Sequence, residues 1–422
     1  MALRREWIGS VAGTGEPGAE QAGPYAALKS LAGSVRRDQE SLEENAPGLS
    51  ALQPIRVLFF VDQGKWDDWG ASRAFAVLAA AVAERAPVIV AYSGRELEPG
   101  VLAEDWFAGV DRVDYAYGSG PESLSVAAVN RLRCVLDQLH ITVVHCHTYN
   151  QVIAATLASL LSRRRRAVIL TDHNSLGWEG VGQVKRFLCL MATRPHMITL
   201  TDRGGVVKRC ACAFSRSITY IPNGVDTTLF DCAKRKPRNG TVRVLYPARL
   251  APLKGHKDLL MATRKLLDRG CDIELRLAGD GELRPELEQF ASQEGLNGRV
   301  KFLGWLTARQ IASEMVQADI GVYPSYSEMM PCAVLEMMAS AMPVVASRVG
   351  GIADAIRDRE SGYLVNIGDI DALAERLYSL VQNPEIAEQV GRAAAARVAM
   401  NYSMSHVAEQ VTALYERVGH GI

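Results

Sequence analysis

The sequence predicts an α/β protein of two doubly wound domains facing each other across a cleft, and three observations carry that prediction. At 422 residues the chain is too long for one ordinary core. From about residue 55 short β-rich runs alternate with longer helical patterns, the order of a parallel sheet wrapped by helices. The alternation breaks once, in the turn-rich and basic stretch DTTLFDCAKRKPRNG at 226–240, and then restarts.

Residues 1–53 mix Gly, Pro, Ala, Ser and charge with little periodicity and read as a loose N-terminal extension. The first domain is expected over 54–225, with strands in IRVLFFV (55–61), VIVAYS (88–93), TVVHCH (142–147), AVILTD (167–172), HMITLT (196–201) and SITYIPN (217–223). Residues 226–240 form the linker. The second domain, 241–398, has strands in TVRVLYPAR (241–249), IELRLAGD (273–280), RVKFLGW (299–305), IGVYPS (320–325), PVVASR (343–348) and GYLVN (362–366). Residues 399–422 are expected to form a C-terminal helix that packs back toward the first domain.

Composition narrows the function classes. A hydrophobic fraction of 48% with 22% charged residues is that of an ordinary globular protein. Lys plus Arg equal Asp plus Glu at 47 each, so no net field points to nucleic acid and any anion site must be local. The N-terminus lacks the apolar core of a signal peptide, and no run approaches the ~18 apolar residues of a membrane span. Eight cysteines are scattered without a CxxC pair or zinc spacing and read as reduced thiols. A cytoplasmic protein is expected.

Ligands of doubly wound sheets bind beyond the carboxyl ends of the strands. His145 and His147 end one strand and Asp172 and His173 another; Arg249, Asp280, Trp305 and Glu328 follow others. In SYSEMMPCAVLEMM (325–338) Pro331 is expected at the first position of a helix. Glu328 then lies in the preceding loop and Glu336 in the second turn of an otherwise apolar helix. The free N–H groups of the helix start suit a phosphate, and the two acids suit hydroxyls on either side of it. The competing reading is a buried helix with one glutamate at its N-terminal end and the other paired to a base. In ARLAPLKGHKDLL (248–260), Arg249 and Lys254 can grip a diphosphate together. Alternatively Lys254 stands in solvent and Arg249 pairs with an acid.

The segments IPNGVDTTLF, YPARLAPLKGHKDLL, LRLAGDGELRPELE, VKFLGWL and SYSEMMPCAVLEMMASAMPVVASRVGGIADAI, by their order and spacing along the chain, resemble a retaining glycosyltransferase of family 4. That family has two Rossmann-like domains, the GT-B arrangement. The likeness covers 217 to about 366, and is weaker from 55. It implies that Arg249 and Lys254 hold the donor diphosphate, that Glu328 lies beside the donor sugar, and that Glu336 accepts from the ribose hydroxyls. Backbone N–H groups of Met329 and Met330 stand where the family usually has Gly-Phe, a departure that alters the pocket. DDWGASRAF (67–75) resembles the loop after the first strand, which faces donor phosphate and acceptor, with Gly70 where two glycines are frequent. A plain helix start is the rival reading there, and Trp69 is placed to shape the acceptor pocket. VVHCHTYN resembles the strand that ends in a histidine near the donor sugar; that role falls on His147, while His145 points to the same side and His173 is a weaker candidate. Gly350, Gly351 and Asp354 read as mainly structural, and NGVD at 223–226 as a hinge.

The implied activity is transfer of a hexosyl-type sugar from a UDP or GDP donor to a hydroxyl acceptor, in glycan, lipid-linked saccharide or glycosylated natural-product synthesis. Arg249, Lys254 and the helix start would stabilise the departing diphosphate without a divalent metal, and Glu328 would position rather than attack. Asp67 and Asp68 read as solvated loop acids. Two other readings remain: a nucleotide-sugar epimerase of the same fold, and a non-catalytic sugar-nucleotide-binding subunit. Arg163, Arg164, Arg165 and Arg166 form a basic turn that is either solvated or a peripheral membrane contact. No feature selects an oligomeric state.

Overall fold

The computed structural model describes residues 55–61, 77–92, 111–114, 121–162, 164–173, 188–201, 215–234 and 240–420. Residues 1–53, together with Asp67, Asp68, Trp69, Gly70 and Arg163, lie outside the described residues.

The first half is a seven-stranded parallel sheet. Its strands are β1 (Val57–Val61), β2 (Val88–Tyr92), β3 (Asp111–Asp114), β4 (Val143–Cys146), β5 (Ala167–Asp172), β6 (His196–Thr199) and β7 (Ser217–Tyr220), in the order β3-β2-β1-β4-β5-β6-β7. The second half is a six-stranded parallel sheet of β8 (Val242–Pro247), β9 (Ile273–Ala278), β10 (Val300–Gly304), β11 (Ile320–Tyr323), β12 (Val344–Ser347) and β13 (Tyr363–Val365), ordered β10-β9-β8-β11-β12-β13. Every residue of β4, β5, β11 and β12 is buried. Helices cover both faces of a parallel sheet, so such strands read as continuous apolar runs.

The helices used below are α1 (Val126–Gln138), α2 (Tyr149–Leu160), α3 (His256–Asp268), α4 (Arg284–Gln293), α5 (Ala308–Gln317), α6 (Cys332–Ala339), α7 (Ile352–Ala355), α8 (Ile370–Gln382), α9 (Pro384–Asn401) and α10 (Met404–Gly419). Pro331 is the N-cap of α6, with φ −71° and ψ 122°, and not its first helical residue. Its extended backbone keeps it just outside the helix that it introduces.

The two halves are joined by two crossings of the chain. Val225 pairs with Ser403 in a parallel bridge; the Val225 N–H donates to Tyr402 O and the Met404 N–H to Val225 O, both at 2.9 Å. After the second crossing α10 lies on the first sheet. Val407, Ala408, Val411, Leu414, Tyr415 and Val418 share one core with Val57, Phe59, Val143, Ile169 and Ile198. A separate core fills the second half. Among the described residues no helix is long and apolar enough to cross a membrane.

Arg166 does not belong to an exposed basic turn. It is buried at the start of β5, where its guanidinium pairs with Asp137 at 2.5 Å and donates to Ile141 O at 3.1 Å. A charged side chain directed inward needs such partners, and Asp137 supplies them. Arg164 and Arg165 are exposed.

Candidate active site

In each sheet the strand order reverses between two neighbours, β1/β4 in the first and β8/β11 in the second. The crevice beyond the carboxyl ends of such strands is where an open α/β sheet binds ligands. His147 follows β4, Lys254 follows β8 and Glu328 follows β11, so all three stand at these reversal points.

Lys254 and Glu328 meet. Lys254 Nζ lies 2.6 Å from Glu328 Oε1, with side chains 26% and 10% exposed. The backbone beneath them is fixed from several directions. Leu253 has φ +67°, uncommon for a bulky residue, and its carbonyl accepts from the Tyr326 N–H at 2.7 Å and Ser325 Oγ at 3.0 Å. The buried Tyr246 hydroxyl donates to Lys254 O at 2.5 Å. Tyr246 packs edge-on against Tyr323 and at a tilt against His256. Burial pushes both phenols well above the usual tyrosine range, and the nearby Glu328 charge adds to it. They are therefore protonated donors at neutral pH.

The Glu328 loop is also pressed from the β12 side. Gly350 has φ +45°, and a Cβ there would come within 1.8 Å of Glu328 O. The Gly351 N–H donates to Met329 O at 2.5 Å. These two glycines permit a backbone approach that no side chain allows. At the start of α6 no described group accepts from the N–H of Met329, Met330 or Ala333. These donors and the helix dipole favour an anion at the start of α6, in the loop that holds Glu328 against Lys254. Glu336 is buried on α6.

Arg249 is placed differently from Lys254. Its guanidinium pairs with Glu282 at 3.2 Å, and both groups are substantially exposed. A phosphate would have to draw it from that partner, which a weak exposed pair permits.

On the facing half the two histidines separate by depth. His145 is fully buried; Nδ1 shares a 2.6 Å hydrogen bond with the Tyr415 hydroxyl and Nε2 another of 2.6 Å with Thr171 Oγ1. Burial lowers its pKa to about 3, so the ring is neutral. His147 stacks on His145 with centroids 4.7 Å apart, and its Nδ1 shares a 3.1 Å hydrogen bond with His173 Nε2. Burial holds it well below the ordinary histidine range. His147 and His173 border a small cavity with Thr171, Leu200, Asn223 and Val411. A neutral imidazole there can hydrogen-bond a hydroxyl but brings no positive charge.

Several supporting residues were not singled out from the sequence. Gln151 Oε1 accepts from the N–H groups of His147 and Thr148 at 2.9 and 3.1 Å, and Thr148 caps α2 reciprocally. The T-x-x-Q pattern at 148–151 carried that signal. Asn223 Nδ2 donates to Met330 O at 2.7 Å, and Thr201 Oγ1 donates to Asp354 Oδ2, so the halves touch at the Glu328 loop and at α7. Tyr415 had no local signal.

Comparison with known proteins gives matches in both halves. The family model described as Glycosyltransferase Family 4 matches residues 70–229, and that described as Glycosyl transferases group 1 matches residues 231–397. An alpha-D-kanosaminyltransferase of Streptomyces kanamyceticus is 32% identical over 42% of this chain and 46% of that protein. A D-inositol 3-phosphate glycosyltransferase of Pseudarthrobacter chlorophenolicus is 35% identical over 53% of this chain and 56% of that protein. The chain thus spans about half the length of these curated relatives. The crystal structure of Anabaena Alr3699/HepE in complex with UDP-glucose superposes with a TM-score of 0.70 at 19% identity, covering 86% of this chain and all of that one. Matched in sequence through both halves and in fold across most of its length, the chain belongs to the family 4 type of glycosyltransferases with the GT-B fold.

Proposed function

We propose that the protein transfers a hexosyl-type sugar from a nucleotide diphosphate donor of the UDP or GDP type to an acceptor hydroxyl, with retention at the anomeric carbon and without a divalent metal. The observation that carries this reading is the Lys254–Glu328 pair at the β8/β11 reversal point, beside unoccupied N–H donors at the start of α6.

The bond that breaks joins the anomeric carbon to a phosphate oxygen, and its electron pair stays on the diphosphate. Lys254, Arg249 drawn from Glu282, and the N–H groups of Met329 and Met330 are the groups that meet this charge. The acceptor hydroxyl adds to the same face of the sugar, and its proton passes to the departing phosphate oxygen. Glu328, released from Lys254, accepts from a sugar hydroxyl, and Glu336 from the ribose. His147, neutral, offers a hydrogen bond to the sugar from the facing half.

The Anabaena neighbour holds UDP-glucose, which supports a UDP donor. The D-inositol 3-phosphate glycosyltransferase relative supports a small polyhydroxylated acceptor, as in glycosylated natural products and glycans. The six cysteines among the described residues are all unbridged, which fits the cytoplasm.

The test is a thermal-shift panel of UDP, GDP, ADP and their sugar derivatives, with and without EDTA. A ligand present at ~100 times its Kd stabilises the folded state by about 2.7 kcal/mol. A rise in melting temperature with one nucleotide, unchanged by EDTA, is expected. No rise with any of them refutes the reading.

A further inference from the structure

The basic turn after α2 finds no use in the cleft. Its neighbourhood has a second feature: Leu157, Leu160 and Leu161 are 40%, 75% and 65% exposed. Positions i, i+3 and i+4 fall on one face of a helix, so these three leucines form one apolar stripe. The rest of the circumference of α2, carrying Val152, Ala154, Ala155 and Ala158, is buried in the core.

The charge beside the stripe is of one sign. Arg164 and Arg165 are exposed and make no ion pair among the described residues. Asp137, which Ser162 of the same turn contacts, is already engaged by Arg166, Arg133 and that hydroxyl, which together hold its carboxyl below the usual range against the opposing effect of burial. We infer that the C-terminal end of α2, with Leu157, Leu160 and Leu161 set beside Arg164 and Arg165, docks on the surface of an anionic lipid bilayer. The stripe sits on a helix end and its following turn, beside free cations. A fluid interface accepts apolar side chains and pairs lipid phosphates with guanidinium groups at the same depth.

The topology fixes how the protein would sit. β4 ends at the cleft, α2 starts there and returns, and Leu160 lies near the start of β5. Twelve helical residues rise about 18 Å. The docking face is therefore at the far end of the sheet from His147. This inference rests on no reading of the cleft.

The test is co-sedimentation of the full chain with vesicles of phosphatidylcholine alone or with about 30% phosphatidylglycerol, a content that gives a cytoplasmic-leaflet-like surface potential. Binding to the anionic vesicles, loss of it at high salt, and little binding to phosphatidylcholine are expected. The pair Arg164→Glu/Arg165→Glu should weaken binding about thirtyfold, from the surface attraction of two arginines. Leu160→Glu/Leu161→Glu should weaken it at least tenfold. Arg309→Glu/Arg392→Glu, equal in charge change but on exposed sites of α5 and α9, should change it less than twofold. Melting temperatures of all three must match the wild type, since the sites are exposed. Equal binding to both vesicle types, or no binding, overturns the inference. So does a leucine variant that converts a dimer to a monomer without lipid, because the stripe would then be a protein interface.

Discussion

Replacing Glu328 with glutamine should tighten the binding of a nucleotide diphosphate while abolishing sugar transfer. In the structure Lys254 Nζ is held 2.6 Å from Glu328 Oε1. At an effective dielectric constant of ~20 the attraction at that distance is about 6 kcal/mol before desolvation is counted. The lysine side chain is 26% exposed, and water competes for it. The net worth of the pair then lies between that of a surface pair and a buried one, about 1–2 kcal/mol. An arriving diphosphate must overcome this amount to take Lys254. Glutamine keeps the shape but not the charge, so the Kd for UDP or GDP should fall about 5- to 30-fold. Titration calorimetry on the wild type, Glu328→Gln, Lys254→Met and the double variant measures this directly. Lys254→Met should bind more weakly, and the glutamine effect should vanish in its background. Unchanged affinity in Glu328→Gln, or a gain that persists without the lysine, would refute the competition.

Three further outcomes follow from the same geometry. Gly350→Ala places a Cβ 1.8 Å from Glu328 O at φ +45°; the loop must shift, so stability should fall by about 2 kcal/mol or more in urea unfolding and transfer at least tenfold. His256 is buried and neither ring nitrogen has a hydrogen-bond partner among the described residues, and burial, then the Lys254 charge, lowers its pKa to about 4. Its unfolded value is near 6.5, so the unfolded chain binds the proton first and stability is lost as pH falls from about 6.5 toward 4. His256→Phe should match the wild type at pH 7 and exceed it by about 2 kcal/mol more at pH 5, measured by urea unfolding at both pH values; an unchanged gap contradicts the assignment. Tyr415→Phe strands His145 Nδ1 in a fully buried site and should cost about 1–3 kcal/mol, seen as a lower melting temperature; no loss would mean the hydrogen bond contributes nothing.

Much of this was legible in the sequence because parallel strands buried on both faces are continuous apolar runs bounded by turns. All six strands of the second sheet fall within the expected segments. β3 did not, since Asp-Arg-Val-Asp is mostly charged and has no apolar run. Lys254 and Glu328 could be chosen from local spacing, but their contact could not, because 74 residues separate them and only the adjacency of β8 and β11 brings them together. Alternation places His145 and His147 on one side of a strand without giving their depth. What sets it is α10, which buries His145 under Tyr415, 270 residues away in sequence. The four arginines looked equivalent as a charge run, yet Arg166 turns inward at the start of β5 while Arg164 and Arg165 stay in solvent.

The double crossing ties the cleft to the hinge in a way that neither half shows alone. The core of the first sheet is completed by Val407, Val411, Leu414 and Tyr415 of α10, which follows the whole second half in sequence. That core therefore cannot close until the chain has passed through both halves and returned. The returning strand is bonded to the outgoing one at Val225, Tyr402 and Met404, and Gly224 is packed so closely on Met404 that an added Cβ would come within 3.0 Å of its sulfur. Two crossings locked side by side favour rotation about one axis over independent movement of two linkers. Asn223, the residue before Gly224, donates to Met330 O in the loop that carries Glu328. Rotation at the crossing therefore bears directly on that loop. An amide that breaks as the cleft opens removes one hold on the loop, which keeps its anchors to the Leu253 carbonyl and the Gly351 N–H within its own half.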